Sequence, residues 1–182
     1  MKPTIPLPPI GYLRRRLKMT TEGCLVWCER PISDFTEECY ALMWHKRFAG
    51  KKAGSDKGRG YEMVRIDGVA YLSHRIAYAI AHGVDPGGLL IDHRNGRRAC
   101  NHGANLRAAT NAENIQHRTR INTNNKSGVI GVYWSKAARK WCARIRVFGK
   151  EIYLGLYTDL AEARRVRQRA EQEHFGAFAP SI

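Results

Sequence analysis

The chain contains no run of 18 apolar residues, so it offers no ordinary membrane-spanning helix. Its opening residues, MKPTIPLPPIGYL, are broken by four prolines and lack a continuous apolar core, so no secretory leader is expected. Cysteine is sparse and irregular: five residues, at 24, 28, 39, 100 and 142, odd in number and widely spread. Cys24 and Cys28 with Cys39 and Cys100 could be drawn as a zinc site. The paired short knuckles of such sites are missing, and free thiols in a reducing cytosol are the reading taken. Acidic side chains are also scarce, with 16 Asp and Glu against 31 Lys and Arg in 182 residues, a net charge of +15. A chain so charged associates with nucleic acid or another anionic surface. A merely solvated basic face, as many phage or ribosome-associated proteins have, points to the same partner class.

What is present is an ordinary globular composition, 43% apolar and 26% charged, long enough for one domain or two small ones. The charge is uneven. Residues 1–70 carry 13 basic and 8 acidic side chains, residues 71–117 carry 5 and 3, and residues 118–182 carry 13 and 5. The last third is the expected DNA anchor.

Residues 1–19 read as a flexible basic leader with Arg14, Arg15, Arg16 and Lys18 available to phosphates, and CLVWC (24–28) as a short strand. ALMWHKRFAG has no clean period and is left unassigned; 50–60, rich in Gly and Lys, reads as a loop. Asp67-Gly68 between the apolar runs 61–66 and 69–72 predicts a tight hairpin. Ser73 is expected to cap a helix ending at Gly83, with Ile76, Ala77, Ile80 and Ala79 on its inner face. His74, in the first turn, reads as packed or phosphate-facing in preference to catalytic, and is counted with the DNA contacts.

Between 91 and 115 the chain reads IDHRNGRRACNHGANLRAATNAENI. Asp92 and His93 are adjacent at the end of a predicted strand, Asn105 follows Asp92 by 13 positions, and Asn114 follows it by 22. A hard oxygen ligand, a base titrating near neutrality and two amide side chains suffice for metal-assisted phosphodiester hydrolysis. Leu106–Ala109 predicts a second strand. Thr110-x-x-Glu113 predicts a capping box, starting a short helix with Asn114 on its first turn.

RTRINTNNKS (118–127), with Arg118 and Arg120 counted as DNA contacts, reads as a linker. Val129–Trp134, Lys140–Val147 and Glu151–Tyr157 predict three antiparallel strands. Asp159-x-x-Glu162 predicts a cap for a last helix, whose inner face is Leu160, Ala163, Val166 or Arg167, and Ala170. In the middle strand Trp141, Ala143, Ile145 and Val147 alternate with Lys140, Cys142, Arg144 and Arg146. The basic face, flanked by Tyr133 and Tyr153 and extended by Arg139, is read as a DNA-contacting ribbon in preference to a solvated sheet.

The stretch 92–114 resembles the HNH nucleases, in particular the homing-endonuclease branch common in phages and group I introns, and the likeness extends upstream through GYEMVRIDGVAYLSHRIAYAIAHG. The resemblance covers about 45–120 and implies the ββα-metal fold with divalent-metal-dependent DNA cleavage. By position it implies that Asp92 and Asn114 hold one Mg²⁺ or Mn²⁺ and that His93 is the general base. Asn105 would position His93 or brace the intervening loop. Asn114 stands where the family name has its second His, and Arg97, Cys100 and Gly103 depart from the usual loop residues. The C-terminal part, SGVIGVYW…KWCARIRV…YLGLY…AEA, resembles the Apetala-two/ethylene-response-factor DNA-binding fold, with Ile130, Tyr133 and Glu151 where the plant proteins tend to have base-reading arginines.

The expectation is an α+β chain. Residues 1–44 would be a basic leader and short strand region, 45–120 a nuclease domain, 121–127 a linker, and 128–182 a three-stranded antiparallel sheet packed on one helix. The function expected is site-directed cleavage of double-stranded DNA by a cytoplasmic monomer, in a phage-infected bacterial host, with no membrane and no small-molecule cofactor. The rivals are a non-catalytic DNA-binding regulator and a structural RNA-associated basic protein.

Overall fold

In a computed structural model, residues 5–56, 60–117 and 121–180 are described. They form two compact units, Met1–Ala109 and Thr110–Ile182. Arg118 and Arg120 lie outside the described residues. Among the described residues no helix is long and apolar enough to cross a membrane.

The segment read from sequence as a flexible leader is ordered. It forms helix α1 (Ile10–Arg16), then strand β1 (Leu17–Met19), paired antiparallel with β2 (Leu25–Trp27). Leu13 and Leu17 are fully buried in the same core as Val64, Ile76, Ile91 and Leu106, and their burial is what fixes the segment. Two of the three arginines expected to face phosphates have partners within the unit: Arg14 Nη2 donates to the Ile80 carbonyl at 2.8 Å, and Arg16 pairs with Asp34 at 3.0 Å.

The stretch left unassigned is helix α2 (Glu38–Phe48). Its Trp44 meets Trp27, Phe35 and Phe48 at centroid distances of 6.0, 6.2 and 5.5 Å, so aromatic packing holds a helix with weak periodicity.

A short β3 (Ser55–Asp56) edges the hairpin of β4 (Glu62–Ile66) and β5 (Val69–Leu72). Asp67 and Gly68 have φ of +47° and +81°, the two left-handed positions that the Asp-Gly turn requires. Helix α3 (Ser73–His82) follows at once and stops at Gly83 in the left-handed conformation, whose N–H bonds Ala79. Ser73 does not cap α3. The ladder runs through Leu72, opposite Met63, so Ser73 is already the first helical residue, and its buried Oγ lacks a hydrogen-bond partner. Strands β6 (Leu90–His93) and β7 (Leu106–Ala109) pair antiparallel and enclose the loop 94–105.

The second unit opens with helix α4 (Asn111–Gln116), whose capping box has both of its bonds. A three-stranded antiparallel sheet follows, in the order β10 (Lys150–Tyr157), β9 (Lys140–Val147), β8 (Val132–Ser135). Helix α5 (Leu160–Phe175) is capped by Asp159 through Ala161 N at 3.1 Å. Ala163 and Ala170 let it lie close on Val132, Ala143 and Ile145. Arg167, not Val166, takes the inward position, and its buried guanidinium is paired with Glu171 at 2.9 Å.

Candidate functional site

Strand β6 carries Asp92 and His93 on its last two positions, and the antiparallel register decides what each faces. Asp92 lies opposite Arg107 and His93 opposite Leu106. Arg107 turns the first pairing into a buried ion pair: its Nε and Nη2 both lie 2.7 Å from Asp92 Oδ2. The guanidinium is the compensation that lets a carboxylate sit inside the fold.

His93 is buried as well, and its Nε2 is 3.1 Å from Asn101 Oδ1. An amide oxygen only accepts, so Nε2 carries the hydrogen and the neutral ring keeps its lone pair on Nδ1. Burial pushes the pKa of His93 below its ordinary 6.5, and nearby Arg98 adds to this; the Asn101 bond and Asp92 pull the other way. The net depression leaves the ring neutral at pH 7, the state a proton acceptor needs.

His74, from the first turn of α3, packs its ring 5.5 Å from that of His93, with Tyr61 5.2 Å from His74 on another side and Arg98 4.8 Å over Tyr61. Burial, then the neighbouring His93 and Arg75, push His74 down to about 4. A neutral, buried His74 is a wall for His93 and exposes little of its ring to a phosphate.

Asn105 is placed in the loop. Its Oδ1 accepts from Asn95 N at 3.1 Å, its Nδ2 donates to the Cys100 carbonyl at 2.7 Å and to Asn95 Oδ1 at 3.1 Å, and its carbonyl accepts from Arg94 N at 2.8 Å. Four bonds close the 94–105 loop on itself and so fix where Asn101 stands. The β1–β2 turn supports the same loop from outside. Gly23, at φ +81°, lies so close that a Cβ there would be 2.4 Å from His102 N and 3.0 Å from Asn101 C.

Residues 71–116 match the family model described as HNH endonuclease. No curated protein and no solved structure matches the chain. The HNH segment takes in β6, the loop and β7, and therefore Asp92, His93, Asn101, Asn105 and Arg107. It also takes in Asn114, on α4 in the second unit.

Asn101 and Arg107 are absent from the sequence-based site. Arg107 had a signal: once 89–92 and 106–109 are read as paired strands, an Arg 15 positions after an Asp falls opposite it. Asn101 had none, because its meeting with His93 depends on how the loop folds.

The DNA-contact candidates of the second unit share a face of the sheet. Tyr133 pairs with Cys142, Tyr153 with Arg144, and Glu151 with Arg146. Tyr133, Tyr153 and Arg146 are exposed, and Arg144 lies 5.3 Å over the Tyr133 ring while bonding Glu151 at 2.7 Å. Lys140 begins β9 next to Arg139, which takes a left-handed φ of +53° in the turn.

Proposed function

We propose that this chain is a metal-dependent DNA endonuclease of the HNH homing type, hydrolysing phosphodiester bonds with His93 as general base. The observation that carries this reading is the buried His93, held through Nε2 by Asn101, beside Asp92 within the HNH segment. His93 Nδ1 would take the proton of the attacking water; the Nε2–Asn101 bond keeps the Nδ1 lone pair available before the transfer and favours the cationic ring after it. Asp92 favours the imidazolium that results.

The metal taken for this reading is Mg²⁺ or Mn²⁺, for which a carboxylate and an amide oxygen are suitable donors. Among the described residues no three His, Cys, Asp or Glu side chains gather into a closed cage. The Asp92 carboxylate is a hard oxygen donor that suits a largely hydrated Mg²⁺, and Asn114, on the second unit, is taken as the other ligand on the resemblance of 92–114 alone. When bound, the ion neutralises charge on the scissile phosphate and the leaving 3′ oxygen. Arg107 holds the Asp92 carboxylate in place through its two 2.7 Å contacts, and Asn105 braces the loop that carries Asn101. The basic sheet face of Lys140, Arg144, Arg146, Tyr133 and Tyr153, with Arg139, anchors duplex DNA, in line with the fold resemblance of 128–182.

The test is cleavage of supercoiled plasmid with Mg²⁺ or Mn²⁺ and with chelator. Wild type should nick or linearise the plasmid only with metal, and His93→Ala should lose cleavage by a factor of about 10² or more while still binding duplex. Full activity in His93→Ala would remove His93 from its role. Binding without any cleavage in wild type would leave the regulator reading.

A further inference from the structure

Helix α2, β2 and the β4–β5 hairpin frame a cavity in the first unit, of about 650 Å³, and none of its lining residues belongs to the site around His93. That volume is typical of small-ligand sites. One wall is aromatic: Trp27, Trp44 and Phe48. The rings are held in advance, Trp27 standing nearly perpendicular to Trp44 at 80° and Phe48 tilted against it at 42°.

The other walls are cationic, from Arg16, Arg30, Lys52 and Arg65, with Asp67 the one lining carboxylate. Three of the four cations are already paired. Arg16 and Arg30 share Asp34, and Lys52 bonds Glu62. Arg65 differs: it is exposed, its Nη1 donates to the Gly68 carbonyl at 3.0 Å, and among the described residues it has no carboxylate partner. Asp67 in turn accepts a hydrogen bond from the Tyr12 hydroxyl.

An aromatic wall takes the flat face of any base, and a neighbouring guanidinium takes the phosphate attached to it. We propose that this cavity is a binding site for one unstacked nucleotide, its base on the Trp27–Trp44 wall and its phosphate on Arg65. The nucleotide comes either from a DNA strand splayed beside the cleavage site or from a free mononucleotide. Only the choice of DNA as a source rests on the endonuclease reading.

The full-length protein is irradiated in chelator with a single-stranded deoxyoligonucleotide carrying 5-iodouracil, and the cross-linked peptides are identified by mass spectrometry. A parallel arm measures displacement of the oligonucleotide by AMP, and direct binding of AMP. Cross-links to the peptides holding Trp27 or Trp44, weakened at least tenfold by Arg65→Glu, are expected. Arg65 is exposed, so Arg65→Glu should melt at the wild-type temperature, and Trp44→Phe gives a second variant that keeps a ring in the wall. Cross-links in the oligonucleotide arm identify a DNA strand as the source, and AMP binding alone identifies the mononucleotide. Cross-links confined to the C-terminal sheet with no AMP binding, or binding indifferent to Arg65→Glu, would overturn the site. No arm requires cleavage, so failure here leaves the plasmid assay untouched, and failure of the plasmid assay leaves this result standing.

Discussion

His93 Nε2 and Asn101 Oδ1 lie 3.1 Å apart with both side chains buried, so the tautomer of the proposed base is set by a residue in the loop between β6 and β7. Asn101→Ala should lower kcat by roughly 10- to 100-fold. A positioning role has a signature beyond rate. In ¹⁵N spectra His93 of the wild type should be the Nε2–H tautomer at neutral pH, and Asn101→Ala should show a mixture. A single unchanged tautomer in the variant would show that Asn101 does not set it.

Asp92 and Arg107 face each other across β6 and β7, both buried, with 2.7 Å contacts. Removing one member strands the other charge, so Arg107→Met should destabilise the protein by about 3–5 kcal/mol in metal-free urea unfolding. Replacing both, Asp92→Leu with Arg107→Met, should recover most of that loss, because neither charge then needs compensation. Additive losses in the double variant would mean that the two side chains contribute through separate contacts.

His74 makes stability depend on pH in a predictable direction. Its pKa is held at about 4 in the fold against 6.5 when unperturbed, so the unfolded chain takes up the proton first as the solution is acidified. The contribution is present in full above pH 6.5 and is lost as pH falls toward 4, an effect on the order of 3 kcal/mol. His74→Phe keeps a ring between Tyr61 and His93 but cannot titrate. Unfolding free energies measured at pH 7, 5.5 and 4.5 should fall more steeply for wild type than for this variant. His93, also depressed, contributes to the slope that remains. Parallel profiles would exclude His74 as the titrating group.

Local chemistry was legible wherever a signal was complete within a few residues. The Asp67-Gly68 turn, the Gly83 stop and the Thr110–Glu113 capping box each need only neighbours, and each is present. The adjacency of Asp92 and His93 at a strand end was legible for the same reason. What escaped depends on distant packing. The leader hid an amphipathic turn whose Leu13 and Leu17 find a core built mostly by residues after 60. Helix α2 is held by rings from Trp27 and Phe35 and by no period of its own. Ser73 looked like a cap because the sequence does not reveal that the ladder ends at Leu72. Asn101 reaches His93 only because Asn105 ties the loop and Gly23 allows the β1–β2 turn to approach it.

On the C-terminal sheet, neighbouring arginines should contribute unequally to DNA binding. Arg144 is committed to Glu151 at 2.7 Å, whereas Arg146 reaches the same carboxylate only at 4.0 Å and leaves 72% of its side chain exposed. A cation freely offered to a phosphate releases counterions, and each such contact contributes about −0.9 to the slope of log K against log salt. Arg146→Ala should therefore flatten that slope by close to one contact, uniformly across sequences. Arg144→Ala should change it less, because the Arg144 charge is already compensated by Glu151 and releases fewer counterions. Glu151→Ala should strengthen binding by freeing Arg144. Duplex-binding titrations at several salt concentrations, in chelator, measure all three. An Arg146→Ala slope equal to wild type would place the DNA elsewhere than on this face.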